Sequence, residues 1–146
     1  MNPEPVTERV YRVDAGALNV YLIVLPKSLT LIDAGFPGTM ATVGAAVRSL
    51  GRSPGEIRDV LVTHCHPDHA SGLAEVRQAT MAHVWMHPAD AKLVRAGQAF
   101  RPWKVTPGMH NRIFAWRVIR RSPSSFAPAA VDREVPPGGD IPVAGG

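Results

Sequence analysis

The chain has a single cysteine, so it forms no internal disulfide, a usage that suits a reducing cytoplasm. No apolar run approaches the roughly 20 residues needed to cross a bilayer as a helix, so no membrane partner is expected. The first residues carry Glu4, Glu8 and prolines where a secretory signal would have an apolar centre. Acidic residues are missing from one long stretch: from Lys92 to Arg121 there are eight Lys or Arg and no Asp or Glu. Such a block attracts phosphates and other anions, and it equally suits a solvated helical face balanced by acidic surface elsewhere. The remaining composition, 45% hydrophobic and 19% charged over 146 residues, fits one globular domain spanning 1–146.

Residues 1–7 are rich in proline and read as a loose leader. Alternation predicts a short strand over 8–13, and the nearly continuous apolar run over 19–25 predicts a strand buried on both faces. Residues 29–33 return as the next strand after a bend at Pro26-Lys27-Ser28. Met40, Val43, Val47 and Leu50 recur at helical spacing, predicting a helix over 39–50 that stops at Gly51. A turn at 53–56 leads to a strand over 59–63. Helix over 71–79, strand over 82–86 and helix over 88–96 follow, which is an α/β layout. His83, inside a short apolar strand, reads as a core histidine, and His87 as a loop residue. Asp90 falls in the first turn of a helix, where its charge suits the dipole.

Residues 98–126 interleave Phe100, Trp103, Val105, Met109, Ile113, Phe114, Trp116, Val118 and Ile119 with Arg and Lys. Packing of an amphipathic helix explains that pattern, and tryptophans near cations also suit a flat or acidic ligand. The last stretch turns tightly at Pro136-Pro137-Gly138-Gly139-Asp140 between two short apolar runs.

The chemistry concentrates in Thr63-His64-Cys65-His66-Pro67-Asp68-His69. Three of the six histidines and one carboxylate lie within six consecutive residues. In extended chain, residues two apart point the same way, so His64 and His66 can converge on one ion while Cys65 turns away. Pro67 disfavours helix at the residue before it. Asp68 and His69 come round at the turn and can face a second ion. Imidazole nitrogen and carboxylate oxygen suit zinc and its first-row neighbours.

This H-x-H-x-D-H pattern resembles the metallo-β-lactamase superfamily. Leu31-Ile32-Asp33-Ala34-Gly35 looks like that family's strand ending in aspartate and glycine, and 19–24 like the strand before it. The resemblance implies an αββα sandwich, of which this chain covers about the first half, so the domain is expected to be truncated. In complete members a second half supplies a third histidine, a bridging aspartate and a last histidine, and this chain carries none of them. The implied cofactor is zinc, two ions in a complete domain, with iron or manganese as alternatives. His64 and His66 would hold the first ion, and Asp68 and His69 the second. Asp33 would lie beneath the site as support, with Thr63 steadying the loop through its hydroxyl. The alternative for Asp33 is an Asp capping the turn after the strand.

The implied activity is hydrolysis of a small ester, thioester or lactone by a metal-activated hydroxide, with Asp68 orienting water or passing its proton. Two alternatives remain: a nucleic-acid phosphodiesterase, which the basic block would serve, and a catalytically silent metal-binding or interaction module. A small-molecule substrate is the expected partner. Self-association through an uncovered sheet face is also expected, because half a sandwich leaves apolar surface exposed.

Overall fold

The computed structural model describes residues 2–99, 106–121 and 124–142, and omits the side chains of residues 114 and 118–121. Seven strands form one sheet in chain order: β1 (Glu4–Pro5), β2 (Val10–Asp14), β3 (Asn19–Val24), β4 (Leu29–Ile32), β5 (Ile57–Val62), β6 (His83–Met86) and β7 (Arg133–Glu134). The first four pair antiparallel through short turns. From β4 onward the pairing is parallel, which requires a crossover between neighbours. Helix α1 (Thr39–Ser49) fills the first crossover, α2 (Pro67–Ala70) with α3 (Leu73–Thr80) the second, and α4 (Pro88–Arg95) begins the third. Helix α5 (Met109–Arg121) lies in that same third connection. Among the described residues no helix is long and apolar enough to cross a membrane.

Cross-strand register explains the core. Leu22 faces Leu31, Leu31 faces Val60, and Val60 faces Val84, so one row of fully buried side chains crosses four strands. Val43 and Val47 of α1, Leu73 and Val76 of α3, and Ala91 and Val94 of α4 join it in one cluster. The helical spacing read at 40, 43 and 47 is thus the buried stripe of α1, with Leu50 half-buried just after it. Gly51, at φ +72°, follows the helix in the left-handed conformation that ends it at little cost to glycine.

The opposite face carries Tyr21, Ile32, Leu61 and Trp85 in a second row across the same strands, and all four are only half-buried. The expectation that β3 is buried on both faces is therefore corrected. Val20 and Leu22 are fully enclosed, while Tyr21 and Ile23 lie on the side away from the helix-covered core. The Trp85 indole N–H on that side donates to Asp59 Oδ1 at 2.7 Å, so its polar edge is satisfied within the sheet.

Other expectations change in detail. The leader contributes a two-residue edge strand, with the Arg12 guanidinium donating to Glu4. His83 is exposed at the start of β6, because strand alternation puts Val84 and Met86 inward instead. The helix expected over 71–79 is α3, starting two residues later, and the separate short helix α2 precedes it across Ser71-Gly72. Within the run at 131–135, Arg133 and Glu134 pair parallel to Trp85 and Met86. The turn after it is present, with Gly139 N–H donating to the Pro136 carbonyl at 3.0 Å. Phe100, Trp103 and Val105, the side chains of Phe114, Val118 and Ile119, and residues 143–144 lie outside the described set. On the described part of α5, Met109, Ile113 and Trp116 are exposed.

Asp132 fastens the C-terminal segment to the sheet. Its carboxylate accepts the Val84 N–H at 2.8 Å and an ion pair from Arg77 on α3, while its own N–H donates to the Val84 carbonyl. Burial alone pushes Asp132 up, but the Val84 N–H and the Arg77 guanidinium outweigh it and hold the carboxyl below the usual range. A lowered folded-state value means its contribution is complete above about pH 4 and fades as pH falls through that lower value. Urea unfolding should show Asp132→Asn less stable than the parent by about 1–2 kcal/mol near pH 7, with the gap closing in acid. A gap that stays constant with pH contradicts this.

Candidate metal centre

The loop that carries the donors is held from below by one carboxylate. Asp33 follows β4 directly and is buried, at φ +63°, a left-handed conformation that Asp tolerates better than most residues. Its Oδ1 accepts the Thr63 N–H at 2.8 Å and the Thr63 hydroxyl at 3.0 Å. Its Oδ2 lies 2.8 Å from His69 Nδ1. The backbone repeats the connection: Ala34 N–H donates to the His69 carbonyl and Gly72 N–H to the Gly35 carbonyl, both at 2.8 Å. Asp33 and Thr63, expected as supporting residues, are brought together under the loop.

The same network assigns the imidazole tautomers. A carboxylate only accepts, so the Thr63 hydroxyl spends its one proton on Asp33. It must then accept from His64 Nδ1, 3.0 Å away, which leaves the lone pair of His64 on Nε2. His69 likewise donates from Nδ1 to Asp33. His64 Nε2 faces His66 Nδ1 at 2.9 Å. His69 Nε2 lies 3.4 Å from Asp68 Oδ2. The rings of His64 and His69 stand 4.0 Å apart between centroids, so the two pairs are neighbours.

Pro67 opens α2 with His66 still extended at ψ 149°, which is how the motif turns from two strand-like donors to two helical ones. Burial first, and then the neighbouring imidazoles of His69 and His66, hold His64 below its ordinary value. That favours the neutral ring a metal needs. Cys65 is buried in the core, turned inward between the two histidines.

The donors fit a divalent metal in kind: three imidazoles and one half-exposed carboxylate. They are arranged as two pairs. Among the described residues no group of three or more His, Cys, Asp or Glu closes around a single point. The separation of 2.9 Å is that of a hydrogen bond; two nitrogens sharing a tetrahedral zinc at about 2.0–2.1 Å stand roughly 3.3 Å apart.

A sequence profile of the metallo-beta-lactamase superfamily matches residues 13–144. The chain belongs to the metallo-beta-lactamase superfamily. It is 32% identical over 85 residues to the uncharacterized protein YobT of Bacillus subtilis (strain 168), covering 58% of this chain and 35% of that protein. With the probable metallo-hydrolase YflN of the same organism it shares 26% over 87 residues, covering 58% and 33%. Among solved structures, the FEZ-1 metallo-beta-lactamase of Legionella gormanii superposes with TM-score 0.75 at 23% identity, over 99% of this chain and 51% of that one. The Rm3 metallo-beta-lactamase gives 0.71 at 27%, over 92% and 45%. The chain thus spans about half the length of these solved structures, and its match covers about a third of the length of the two curated relatives.

In the sequence Asp90 reads only as an acid in the first turn of a helix, with nothing to tie it to this site. The structure places it, buried, in a small cleft with His64, Cys65 and His66. His87 closes the start of α4, its Nδ1 accepting the Ala89 N–H at 3.2 Å. It also borders a cleft of roughly 320 Å³ that continues the half-buried row through Leu61 and Trp85. His110 lies exposed on α5 and is not among these contacts.

Gly72 is the tightest point of the loop. A Cβ there would stand 2.5 Å from the Ala34 carbonyl oxygen and 2.7 Å from that of Phe36. Its φ of −82° suits any residue, so only the collision matters. Gly72→Ala should cost about 1–3 kcal/mol in urea unfolding, whereas Gly55→Ala, whose nearest neighbour is at 3.8 Å, should stay within about 0.5 kcal/mol of the parent. Equal stability of the two variants contradicts the close approach.

Proposed function

We propose that this chain carries the metal-binding loop of a metal-dependent hydrolase acting on a small ester, thioester or lactone. The observation that carries the reading is the 2.9 Å approach of His64 Nε2 to His66 Nδ1, with His64 Nδ1 held by Thr63 and Thr63 held by the buried Asp33. A surface cluster of histidines has no reason to be oriented from beneath by a buried carboxylate. Similarity to YflN, a probable metallo-hydrolase, supports the same class.

Zinc, or iron or manganese in its place, supplies Lewis acidity when bound and makes water a nucleophile near neutral pH. In this reading His64 and His66 would hold the first ion, and Asp68 and His69 the second. Asp33 keeps the His69 ring turned so that Nε2 looks outward. Asp68 is about half exposed at the start of α2, where it orients the attacking water, accepts its proton and hands that proton to the leaving group.

The test is turnover by the zinc-loaded chain on a panel of thioesters, lactones and a β-lactam. Hydrolysis should stop on chelation, and Asp68→Ala should lower it by about 10²–10⁴-fold, while Asp140→Ala leaves it unchanged. A metal-loaded Asp68→Ala protein working at the parent rate refutes the assignment. A parent that binds zinc yet turns over nothing on the panel reassigns the chain as a silent metal-binding module.

A further inference from the structure

We propose that Asp90 is a positioning carboxylate for the loop, holding the His66 imidazole so that Nδ1 points toward the cation. The proposal rests on the metal-centre reading above and adds a residue from a different element. Two of the three loop histidines are oriented through Nδ1: His64 by Thr63 and His69 by Asp33. His66 differs, because its Nδ1 is the atom turned toward His64. With a cation at Nδ1, the ring proton of His66 sits on Nε2 and needs an acceptor. Metal-bound histidines usually give that proton to a carboxylate or a carbonyl.

Asp90 is the carboxylate that shares a cleft of about 190 Å³ with His64, Cys65 and His66. It is 8% exposed, on the first turn of α4, the helix that follows β6. A first-turn acid serves the helix dipole from an exposed position just as well, and the Ala89 N–H at this helix start is already taken by His87. Burial of a carboxylate is costly unless polar partners offset it, so the enclosed placement beside two imidazoles points to the loop and not only to the helix.

The experiment titrates cobalt(II) into the full chain and into Asp90→Ala and Asp90→Asn, reading affinity by chelator competition and visible absorption. Ring ¹⁵N spectra of the zinc-loaded proteins report the His66 tautomer. Asp90→Ala should weaken binding by about 10–100-fold and shift the His66 Nε2 signal while the His69 signals stay. Asp90→Asn keeps a carbonyl acceptor of the same size, so it should recover part of the affinity. It also carries the test if the alanine variant proves unfolded by circular dichroism. Parent affinity and an unchanged His66 spectrum in the Asp90 variants overturn this proposal alone. A parent chain that takes up neither metal overturns the metal-centre reading and this inference with it.

Discussion

The buried carboxylate of Asp33 is the contact on which the site depends. It lies where β4 ends, yet its partners are Thr63 and His69, some thirty residues later. A buried carboxylate is unfavourable unless charged or polar donors surround it. Here those donors are a backbone N–H, a hydroxyl and an imidazole N–H, all from the loop that carries the motif. Folding of the sheet and ordering of the donors are therefore one event. Without the loop the carboxylate is left buried and unsatisfied; without the carboxylate, neither Thr63 nor His69 has a reason to adopt its present orientation.

Sheet topology brings the remaining pieces to the same place. β4, β5 and β6 run parallel, so their carboxyl ends open on one edge. The segment after β4 supplies Asp33, the one after β5 supplies Thr63 to His69, and the one after β6 supplies His87 and Asp90. Ligand sites in open parallel sheets form outside those ends. The close approach of Gly72 to the carbonyls of Ala34 and Phe36 presses the first two segments together. The antiparallel strands β1 to β3 extend the sheet away from this edge and contribute core through Val13, Val20 and Leu22.

Much of this was legible in the sequence because the signals were dense or periodic. The H-x-H-x-D-H run carries its own chemistry, and the stripe of Met40, Val43 and Val47 has no competing explanation. What escaped depended on which side of the sheet is covered. Apolar composition over 19–25 suggested burial on both faces, yet Tyr21 and Ile23 stand opposite the helix-covered core. His83 was drawn into the core by its apolar neighbours, whereas alternation from Val84 sends it outward. Asp90 was missed for a different reason: it is a lone acid at an ordinary helix start, and only the parallel pairing of β5 and β6 brings it to the histidines. Edge strand β1 is two residues long, too short for any periodicity to show.

The central claim is that the loop after β5 gathers a cation through imidazoles set in place by Asp33. Anomalous diffraction at the zinc absorption edge, on crystals of the full chain grown with zinc, tests it most directly. The account predicts a peak within bonding distance of His64 Nε2 and His66 Nδ1, about 2.0–2.1 Å from each. A data set with no peak against these nitrogens, or with zinc only elsewhere on the surface, contradicts it.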